Sequence, residues 1–333
     1  MSSGNTAKPG FFLIGAPKGG TTAMAQYLSE HPNVFFSAPK ELHFWNQDHE
    51  KDGRAHEVRT LEEYLRKFSA ADPDVHRVVA EGSTTYFQSA VAVRKILEFN
   101  PQAKFLVMLR NPLEVAHGMH GELLRHFYED VTDFEQAWRL QEERAVGRRL
   151  PRNPVFKHQL QFREVASFAP QLQRLFDAVP ASQRLVILFD DFVKDTPDAY
   201  RRVLEFLELE DDGRTDFPKV HQAASHRFAA LMRFYHTPPA LFEKPIRLLR
   251  TKVRANSGRI KEILKMATSK KTPRAKLREE FAAELRIVFR EDVARTSELL
   301  GRDLSYWTEP DRIATGDALP WSAANAALSE TDP

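Results

Sequence analysis

The chain has 333 residues, 42% of them hydrophobic, and a net charge of +2, so it is long enough to fold around a sizeable core. It contains no cysteine, which excludes disulfides, thiolate zinc sites and cysteine nucleophiles. No apolar run approaches the roughly 20 residues of a membrane helix. The first ten residues, MSSGNTAKPG, include no apolar stretch of the signal-peptide type. We therefore expect a soluble, cytoplasmic protein.

Short apolar runs recur along the chain. They are FFLIGA (11–16), VVAEGS (78–83), KFLVMLR (104–110) and RLVILFD (184–190). Continuous runs of this length are typical of strands buried on both faces of a parallel sheet. Because helical patterns lie between them, the sequence predicts an α/β fold. We expect a single P-loop-like domain with a central, mostly parallel sheet flanked by helices.

The glycine-rich segment GAPKGGTTAM (15–24) follows the first of these runs. Gly15 and Gly20 have the spacing of the nucleotide loop G-x-x-x-x-G-K-[ST], but Thr21 occupies the lysine position and Lys18 stands three residues earlier. A glycine-rich turn between strand and helix presents backbone N–H groups and the positive end of the helix dipole to an anion. The segment predicts a phosphate-binding loop. The alternative, a plain glycine turn, does not require so many hydrogen-bond donors.

The segment APKELHFW (38–45) carries a candidate base. Considered alone, Glu41 would be a surface carboxylate paired with Lys40. If the segment is extended, Glu41 and His43 share one face, because alternate residues of a strand point the same way. Phe44 and Trp45 are expected to be pocket wall or core.

The segment KFLVMLRNPLEVAHGMH (104–120) predicts a strand that ends at Arg110 and a helix that opens with Asn111 and Pro112. Ligands of open α/β sheets gather at the carboxyl ends of strands, and arginine can grip a phosphate with two hydrogen bonds. The alternative for this arginine is a strand-end salt bridge. His117 and His120 have i, i+3 spacing, but no third ligand at metal spacing accompanies them, so we expect no metal site.

The segment LVILFDD (185–191) is similar to a Walker B strand, which would make Asp190 or Asp191 a Mg²⁺ ligand in a kinase or NTPase. In residues 196–209 apolar side chains at i, i+3, i+4 and i+7 predict a helix, with Thr196 as its cap and Pro197 in its first turn. A late amphipathic helix is predicted by Leu277, Phe281, Leu285, Val288 and Val293.

Charge is distributed unevenly. Residues 227–276 contain 14 Lys and Arg against two Glu, a segment charge of +12, so the remainder carries −10. This basic helical excursion is either a solvated face or a surface that meets an anionic substrate, cofactor or membrane. Because no zinc finger or aromatic RNA motif accompanies it, we expect no nucleic-acid partner. Residues 308–333 have weak periodicity and are expected to form a loosely ordered tail.

Several motifs together resemble the sulfotransferases that use 3′-phosphoadenosine-5′-phosphosulfate (PAPS), in particular the bacterial and heparan-sulfate-type enzymes. GAPKGGTTAM resembles their 5′-phosphosulfate loop, APKELHFW their catalytic segment, and KFLVMLRNPLEVAHGMH their 3′-phosphate segment. AEGSTTYF (80–87) and ELLGRDLSYW (298–307) are similar to further family segments. The resemblance covers about residues 10–307, which we take as one domain, and three ordered motifs are more specific than one.

The resemblance implies the roles of individual residues. Glu41 would be the general base, Lys18 would stabilise the leaving 5′-phosphate, and His43 would orient the base or contact the acceptor. The residues implied to bind PAPS, or its product PAP, are Pro17, Lys18, Gly19, Gly20, Thr21, Thr22, Arg110, Gly118 and, by a weaker match, Arg227. No metal is implied, because a sulfuryl group carries less charge than a phosphoryl group.

Two positions depart from the family pattern. Gly118 stands where the family usually has a serine on the 3′-phosphate, and Gly82 stands where some glycan-modifying members have a lysine. The acceptor, whether small molecule, glycan or lipid, is therefore left open, as is transfer to oxygen or nitrogen. Two other functions stay open: a P-loop kinase or NTPase, and a non-catalytic protein that docks through its basic segment.

Overall fold

The structure is a computed structural model that describes residues 8–49, 58–152, 156–219 and 277–309, together with the backbone of residues 225–226 and 269–270. Its main sheet has five parallel strands in the order β2-β3-β1-β4-β5. The strands are β1 (Phe11–Gly15), β2 (Val34–Phe36), β3 (Val78–Glu81), β4 (Lys104–Leu109) and β5 (Arg184–Leu188). The predicted α/β fold with a parallel sheet is confirmed, and β2 is the strand that the apolar runs missed, because it has only three residues.

The central strands are buried on both faces, as their continuous apolar runs predict. All five residues of β1 are buried, and their side chains alternate between two apolar clusters. Phe12 packs on one face of the sheet with Phe105 of β4, and Leu13 packs on the other with Met24. The register of β1 places Phe11 beside Lys104 of β4 and Ala80 of β3, and Gly15 beside Val107 of β4.

Helices cover both faces of the sheet. In the described parts of the chain they are α1 (Thr21–Ser29), α2 (Leu61–Arg66), α3 (Thr85–Gln88), α4 (Ala92–Phe99), α5 (Pro112–Arg125), α6 (Phe134–Arg139), α7 (Gln141–Ala145), α8 (Phe162–Ala166), α9 (Ala169–Ala178), α10 (Phe189–Lys194), α11 (Thr196–Phe206) and α12 (Glu279–Leu300). Short 3₁₀ turns span Lys157–Leu160, Ala181–Gln183 and Ser305–Trp307. None of the described helices is long and apolar enough to cross a membrane.

The predicted helix after β5 exists, but its cap was assigned wrongly. Asp195, not Thr196, caps α11, and its side chain accepts a hydrogen bond from the backbone N–H of Asp198. The Thr196 hydroxyl instead donates to the Phe192 carbonyl oxygen of α10. The reason is that α10 and α11 are separated by one residue, which must serve as the cap.

The basic segment lies largely outside the described residues. Only a short antiparallel pair is described there, in which β6 (Ser225–His226) pairs with β7 (Ser269–Lys270). This pairing brings together the two ends of the stretch between them. Arg227, the remainder of the basic helical excursion and residues 310–333 of the predicted tail lie outside the described part of the chain.

Candidate active site

The carboxyl ends of four neighbouring strands carry the predicted site residues. The loop after β1 contains Lys18, the segment after β2 contains Glu41, β3 is followed by residues 82–85, and Arg110 follows β4. Because β1 lies between β3 and β4, the phosphate-type loop has the catalytic segment on one side and Arg110 on the other. This is the edge at which open α/β sheets bind ligands.

The loop between β1 and α1 is held against β4. The backbone N–H of Ala16 donates to the carbonyl oxygen of Met108 at 2.8 Å. A Cβ atom on Gly19 would lie 2.2 Å from that same oxygen, so a side chain at this position is excluded. Gly20 has a φ of 94°, in the left-handed region that favours glycine, and α1 begins directly after it at Thr21. The N–H groups of the first turn of α1, including Thr21 and Thr22, therefore face the loop without acceptors inside the helix.

Arg110 and Lys18 lie together. The Arg110 guanidinium donates to the Lys18 carbonyl oxygen at 3.4 Å and stacks on the Phe189 ring, 4.2 Å from its centroid. The Lys18 Nζ forms an ion pair with Glu122 of α5 at 3.1 Å, and Arg110 forms one with Glu114 of the same helix. Both cations are thus paired with carboxylates on one helix face, which places two positive charges beside the loop.

Glu122 has three cationic or polar partners. Burial by itself would raise the pKa of Glu122, but the hydrogen bond with His126 and the charges of Lys18 and Arg125 outweigh it and hold the pKa well below its usual range. The carboxylate is therefore ionised at neutral pH. It forms the ion pair with Lys18 that an anionic ligand would otherwise form.

Gly118 is buried in α5 between the two acidic partners. Glu114, Gly118 and Glu122 follow one another at intervals of four residues, so they share a helix face. That face meets both Arg110 and Lys18 through the two glutamates. Of the predicted cofactor residues, Gly118 is thus buried on the helix face that carries the partners of Arg110 and Lys18, and Pro17 is buried within the loop.

Glu41 lies among polar groups from two segments. Its carboxylate accepts from Lys40 Nζ at 2.9 Å and from the Thr84 hydroxyl at 3.2 Å. His43 Nε2 is 3.6 Å from the same carboxylate, and its Nδ1 is 2.8 Å from the Thr85 hydroxyl. Glu41 and His43 therefore meet as expected, but not through an extended segment, because His43 has a φ of 50°.

The charge state of Glu41 follows from these neighbours. Burial would raise its pKa, but the charges of Lys40 and His43 and the hydrogen bonds from Lys40 and Thr84 outweigh burial, and the pKa lies below its usual value. About a third of the side chain, 32%, stays exposed. A substrate can therefore approach an ionised carboxylate.

A buried network that the sequence analysis did not identify holds the catalytic segment in place. The Glu81 carboxylate at the end of β3 accepts hydrogen bonds from the hydroxyls of Tyr64, Ser83 and Tyr86. The Ser83 hydroxyl accepts from the backbone N–H groups of residues 42 and 43, and the Tyr86 hydroxyl accepts from those of residues 44 and 45. Glu81 and Ser83 lie within the apolar run 78–83, and that run by itself predicts only a strand.

The glycine at position 82 has a local explanation. A Cβ atom there would lie 2.9 Å from Cγ of Lys40 and 3.1 Å from the Phe36 ring. The Lys40 Nζ donates to the Gly82 carbonyl oxygen at 2.7 Å and also binds Glu41. Lys40 thus crosses the space next to Gly82, and its ammonium group lies beside the carboxylate.

The two acidic residues after β5 are engaged by the C-terminal segment. Asp190 accepts hydrogen bonds from the Tyr306 hydroxyl and from Trp307 Nε1, and Asp191 forms an ion pair with Arg302. Their side chains therefore hold residues 302–307 against the sheet.

Among the described residues, no cluster of three or more His, Asp or Glu side chains is suited to hold a metal ion. The buried His120 ring donates a hydrogen bond from its Nε2 to the Val131 carbonyl oxygen at 2.8 Å.

Comparisons with known proteins find sulfotransferases. The chain is similar to the bifunctional heparan sulfate N-deacetylase/N-sulfotransferase 1 of Caenorhabditis briggsae, with 31% identity over 131 residues, which are 38% of this chain and 14% of that protein. It is similar to carbohydrate sulfotransferase 15 of Rattus norvegicus, with 26% identity over 249 residues, 60% of this chain and 44% of the relative. The chain thus spans less than half the length of these curated relatives.

The fold has a solved counterpart. The crystal structure of a sulfotransferase from Alicyclobacillus acidocaldarius superposes with a TM-score of 0.67 at 24% sequence identity, covering 90% of this chain and 99% of that one. The family model described as the sulfotransferase family matches residues 9–213, which include the loop, the catalytic segment, the Glu81 network and Arg110. On this match, the chain belongs to the sulfotransferase family.

Proposed function

We propose that the protein transfers the sulfuryl group of PAPS to a hydroxyl or amine of an acceptor, in line and without a metal ion. The observation that carries the proposal is that Lys18, Arg110 and Glu41 follow the carboxyl ends of β1, β4 and β2 in one parallel sheet, with Arg110 in contact with Lys18. Two cations beside a helix N-terminus suit a ligand with two phosphate positions. A carboxylate on the other side of the loop suits removal of a proton from the acceptor.

The loop residues fit a phosphate of the cofactor. Position 19 leaves no room for a side chain, so the loop packs directly against β4. The carboxylates of Glu122 and Glu114 pair with Lys18 and Arg110, the two cations that a phosphate would contact. The residues proposed to hold PAPS are Pro17, Lys18, Gly19, Gly20, Thr21, Thr22, Arg110 and Gly118, and Arg227 stays a prediction outside the described residues. When bound, PAPS supplies an activated sulfuryl group and a phosphate leaving group.

The chain's own residues then have separate tasks. Glu41 takes the proton of the acceptor group as that group attacks, and the lowered pKa keeps the carboxylate ionised at neutral pH. His43 and Thr84 orient the carboxylate, while Thr85 fixes the His43 ring. Lys18 stabilises the negative charge that develops at the loop, which is a contribution of electrostatic preorganisation.

For the acceptor, we propose only its reacting group, a hydroxyl or an amine. The named relatives include carbohydrate and heparan sulfate enzymes, so a glycan is a candidate beside a small molecule or a lipid. The basic segment 227–276 is proposed to contact an anionic acceptor or membrane surface rather than nucleic acid. A cytoplasmic location stays a prediction.

Calorimetry in EDTA tests the proposal. We expect PAP to bind without metal and to bind more weakly as salt rises, because the contacts at Lys18 and Arg110 are electrostatic. A separate titration of fresh protein, without EDTA, then uses ATP and Mg²⁺. Tighter binding of ATP–Mg²⁺ than of PAP would contradict the sulfotransferase assignment of this site and favour a kinase or NTPase. Transfer of label from ³⁵S-PAPS to an acceptor mixture completes the test.

A further inference from the structure

The ring of Phe189, the first residue of α10, contacts two parts of the proposed cofactor site. The Arg110 guanidinium stacks on this ring, 4.2 Å from its centroid. A Cβ atom on Gly20 would lie 3.0 Å from Cδ2 of Phe189, so the ring also packs against the phosphate-type loop. The ring therefore relates the position of Arg110 to that of the loop.

Stacking uses the face of the guanidinium and none of its hydrogen-bond donors. The five N–H groups of an arginine lie in the plane of the group, so they do not point at a ring that is stacked on its face. The carboxylate of Glu114 and the Lys18 carbonyl oxygen, in contrast, accept hydrogen bonds from Arg110. Phe189 can therefore fix the tilt of the guanidinium without competing with a phosphate for its donors.

The residue after Phe189 is held by the C-terminal segment, residues 302–307. The Asp190 carboxylate accepts hydrogen bonds from the Tyr306 hydroxyl at 2.8 Å and from Trp307 Nε1 at 3.1 Å. These contacts lie at the start of α10, which is a helix of only six residues. They therefore fix the backbone from which the stacked ring projects.

The residue after Arg110 is held by the same segment. Asn111 caps α5 by accepting from the Leu113 backbone N–H at 3.0 Å, and its Nδ2 donates to the Trp307 carbonyl oxygen at 3.1 Å. Trp307 itself is anchored in the core, since only 2% of it is exposed. One tryptophan thus contacts the neighbours of both stacked groups, one through its ring nitrogen and the other through its carbonyl oxygen.

The C-terminal segment has further contacts that keep it docked. Leu304 is fully buried, and Arg302 forms an ion pair with Asp191. A single hydrogen bond to Asp190 can therefore be removed by substitution while the segment stays in place. Its loss then reports on the stacked pair and not on attachment of the C-terminal segment.

We propose that Phe189 is a positioning residue for Arg110, and that the C-terminal segment keeps Phe189 in place through Asp190. The ring fixes the orientation in which the guanidinium binds a phosphate. The proposal rests on the proposed function for the identity of that phosphate, the 3′-phosphate of PAPS. It adds the start of α10 and the C-terminal segment, neither of which contains a predicted cofactor residue, to the elements that set cofactor affinity.

The test compares PAP with 5′-AMP, which lacks only the 3′-phosphate. Calorimetry on the full chain gives the ratio of the AMP to the PAP dissociation constant, which measures what the 3′-phosphate contributes. Phe189→Leu removes the stacked ring but keeps an apolar side chain beside Gly20, so the ratio should fall about 3- to 10-fold. Tyr306→Phe should lower it about 2- to 5-fold through loss of one hydrogen bond. Arg110→Met gives the largest fall.

Two control variants share the chemistry but not the position. Phe192→Leu changes the other phenylalanine of α10 that packs near Gly20, whose ring is not the one stacked on Arg110. Tyr200→Phe removes a hydroxyl that donates to Asp212 at 3.1 Å. Both controls should keep the ratio within about twofold of the wild type, because a loss of stability alone weakens both ligands equally.

A second measurement needs no cofactor. Phenylglyoxal modifies guanidinium groups, and peptide mass spectrometry follows its rate at Arg110. Loss of the stacked ring in Phe189→Leu should raise this rate about 3- to 10-fold, and Phe192→Leu should leave it unchanged. If PAP fails to bind, or if Arg110→Met leaves the ratio unchanged, the proposed function fails at this residue, and a raised modification rate still supports the positioning role.

The opposite result separates the two proposals in the other direction. If Arg110→Met abolishes the preference for PAP, but Phe189→Leu changes neither the ratio nor the modification rate, the proposed function stands and the positioning role of Phe189 is wrong. Equal ratios in Tyr306→Phe and Tyr200→Phe would overturn the role of the C-terminal segment.

Discussion

The phosphate-type loop and the catalytic segment occupy neighbouring strand ends, but their shapes have different origins. The loop is shaped by residues within it and by the strand beside it, since Gly19 packs against the Met108 carbonyl oxygen and Gly20 adopts a left-handed φ of 94°. The catalytic segment has no regular secondary structure between Ala38 and Trp45. Its backbone N–H groups are held by side chains that lie about forty residues later in the chain.

The difference separates two ways to build a site. A loop that is shaped by glycine depends on the absence of side chains, so it is damaged by adding atoms. A segment that is held by buried hydroxyls and a carboxylate depends on the presence of side chains, so it is damaged by removing them. Substitutions of each kind should therefore affect cofactor binding and turnover to different extents.

The largest effect is expected from Glu41→Gln. The amide keeps the size of the side chain and can keep contacts to Lys40 and Thr84, but it cannot accept the proton of the acceptor. Turnover should fall by about 10²- to 10⁴-fold, the usual contribution of a general base, while the PAP dissociation constant changes little. Glu62→Gln, on the exposed side of α2, is the control. Full activity of Glu41→Gln on an acceptor would mean that another group is the base.

The pH profile of the wild type sharpens this test. The net lowering of the pKa of Glu41 keeps the carboxylate ionised until the pH falls below the usual glutamate value of 4.5, so the acidic limb of kcat/KM should lie below that value. By linkage, its contacts stabilise the fold above that range and lose this contribution as the pH falls through the lowered pKa. An acidic limb near pH 6 would point to a different group.

Gly19→Ala tests whether the loop depends on the absence of a side chain at position 19. Because a Cβ atom would lie 2.2 Å from a backbone oxygen, the loop must shift, and overpacking should cost about 1–3 kcal/mol of stability. Displaced N–H groups would weaken PAP binding by roughly 10- to 100-fold, the equivalent of one or two hydrogen bonds to a charged group. Gly10→Ala, where the nearest atom would be 3.6 Å away, is the matched control. Unchanged PAP affinity in Gly19→Ala would mean that the loop does not bind the cofactor.

Ser83→Ala tests the catalytic segment by removing atoms. Its hydroxyl accepts from two backbone N–H groups of that segment at 2.9 Å and donates to Glu81. We expect a loss of about 1–3 kcal/mol in stability and a roughly 5- to 20-fold lower kcat, with the PAP dissociation constant within about twofold of the wild type.

Ser89→Ala is the control for that prediction, because Ser89 is also buried, donates to Asp48 and accepts from the Ala92 backbone N–H at the start of α4, but does not contact the catalytic segment. It should lose comparable stability without the drop in kcat. If both serine variants lower kcat equally, the effect follows general stability and not the position of Glu41.

The same contrast explains what could be predicted from the sequence. The loop, the strand before it and Arg110 were predicted because each follows from a local pattern, a continuous apolar run or a glycine spacing. The role of Glu81 could not be predicted, because its partners Tyr64 and Tyr86 meet it only after the chain folds. The cap of α11 was wrong because the spacing between α10 and α11 depends on where both helices end.

The smallest effect is expected from Gly118→Ser, which adds a short side chain to the face of α5 that carries Glu114 and Glu122. Gly118 lies between Glu114, the partner of Arg110, and Glu122, the partner of Lys18. A serine hydroxyl there can donate to a phosphate held by Arg110, and a hydrogen bond to a charged group is worth about 1.5–3 kcal/mol net. Allowing for an imperfect rotamer, we expect PAP to bind several-fold more tightly.

Gly118→Ala separates the hydroxyl from the helix in this experiment. Alanine should stabilise α5 by up to about 1 kcal/mol relative to glycine, but it adds no donor. If calorimetry gives tighter PAP binding for serine and not for alanine, the face of α5 that carries Glu114 and Glu122 also meets the cofactor. If the two variants fold normally and bind PAP equally, or more weakly than the wild type, the helix does not present residue 118 to the phosphate, and the glycine instead leaves room for the acceptor.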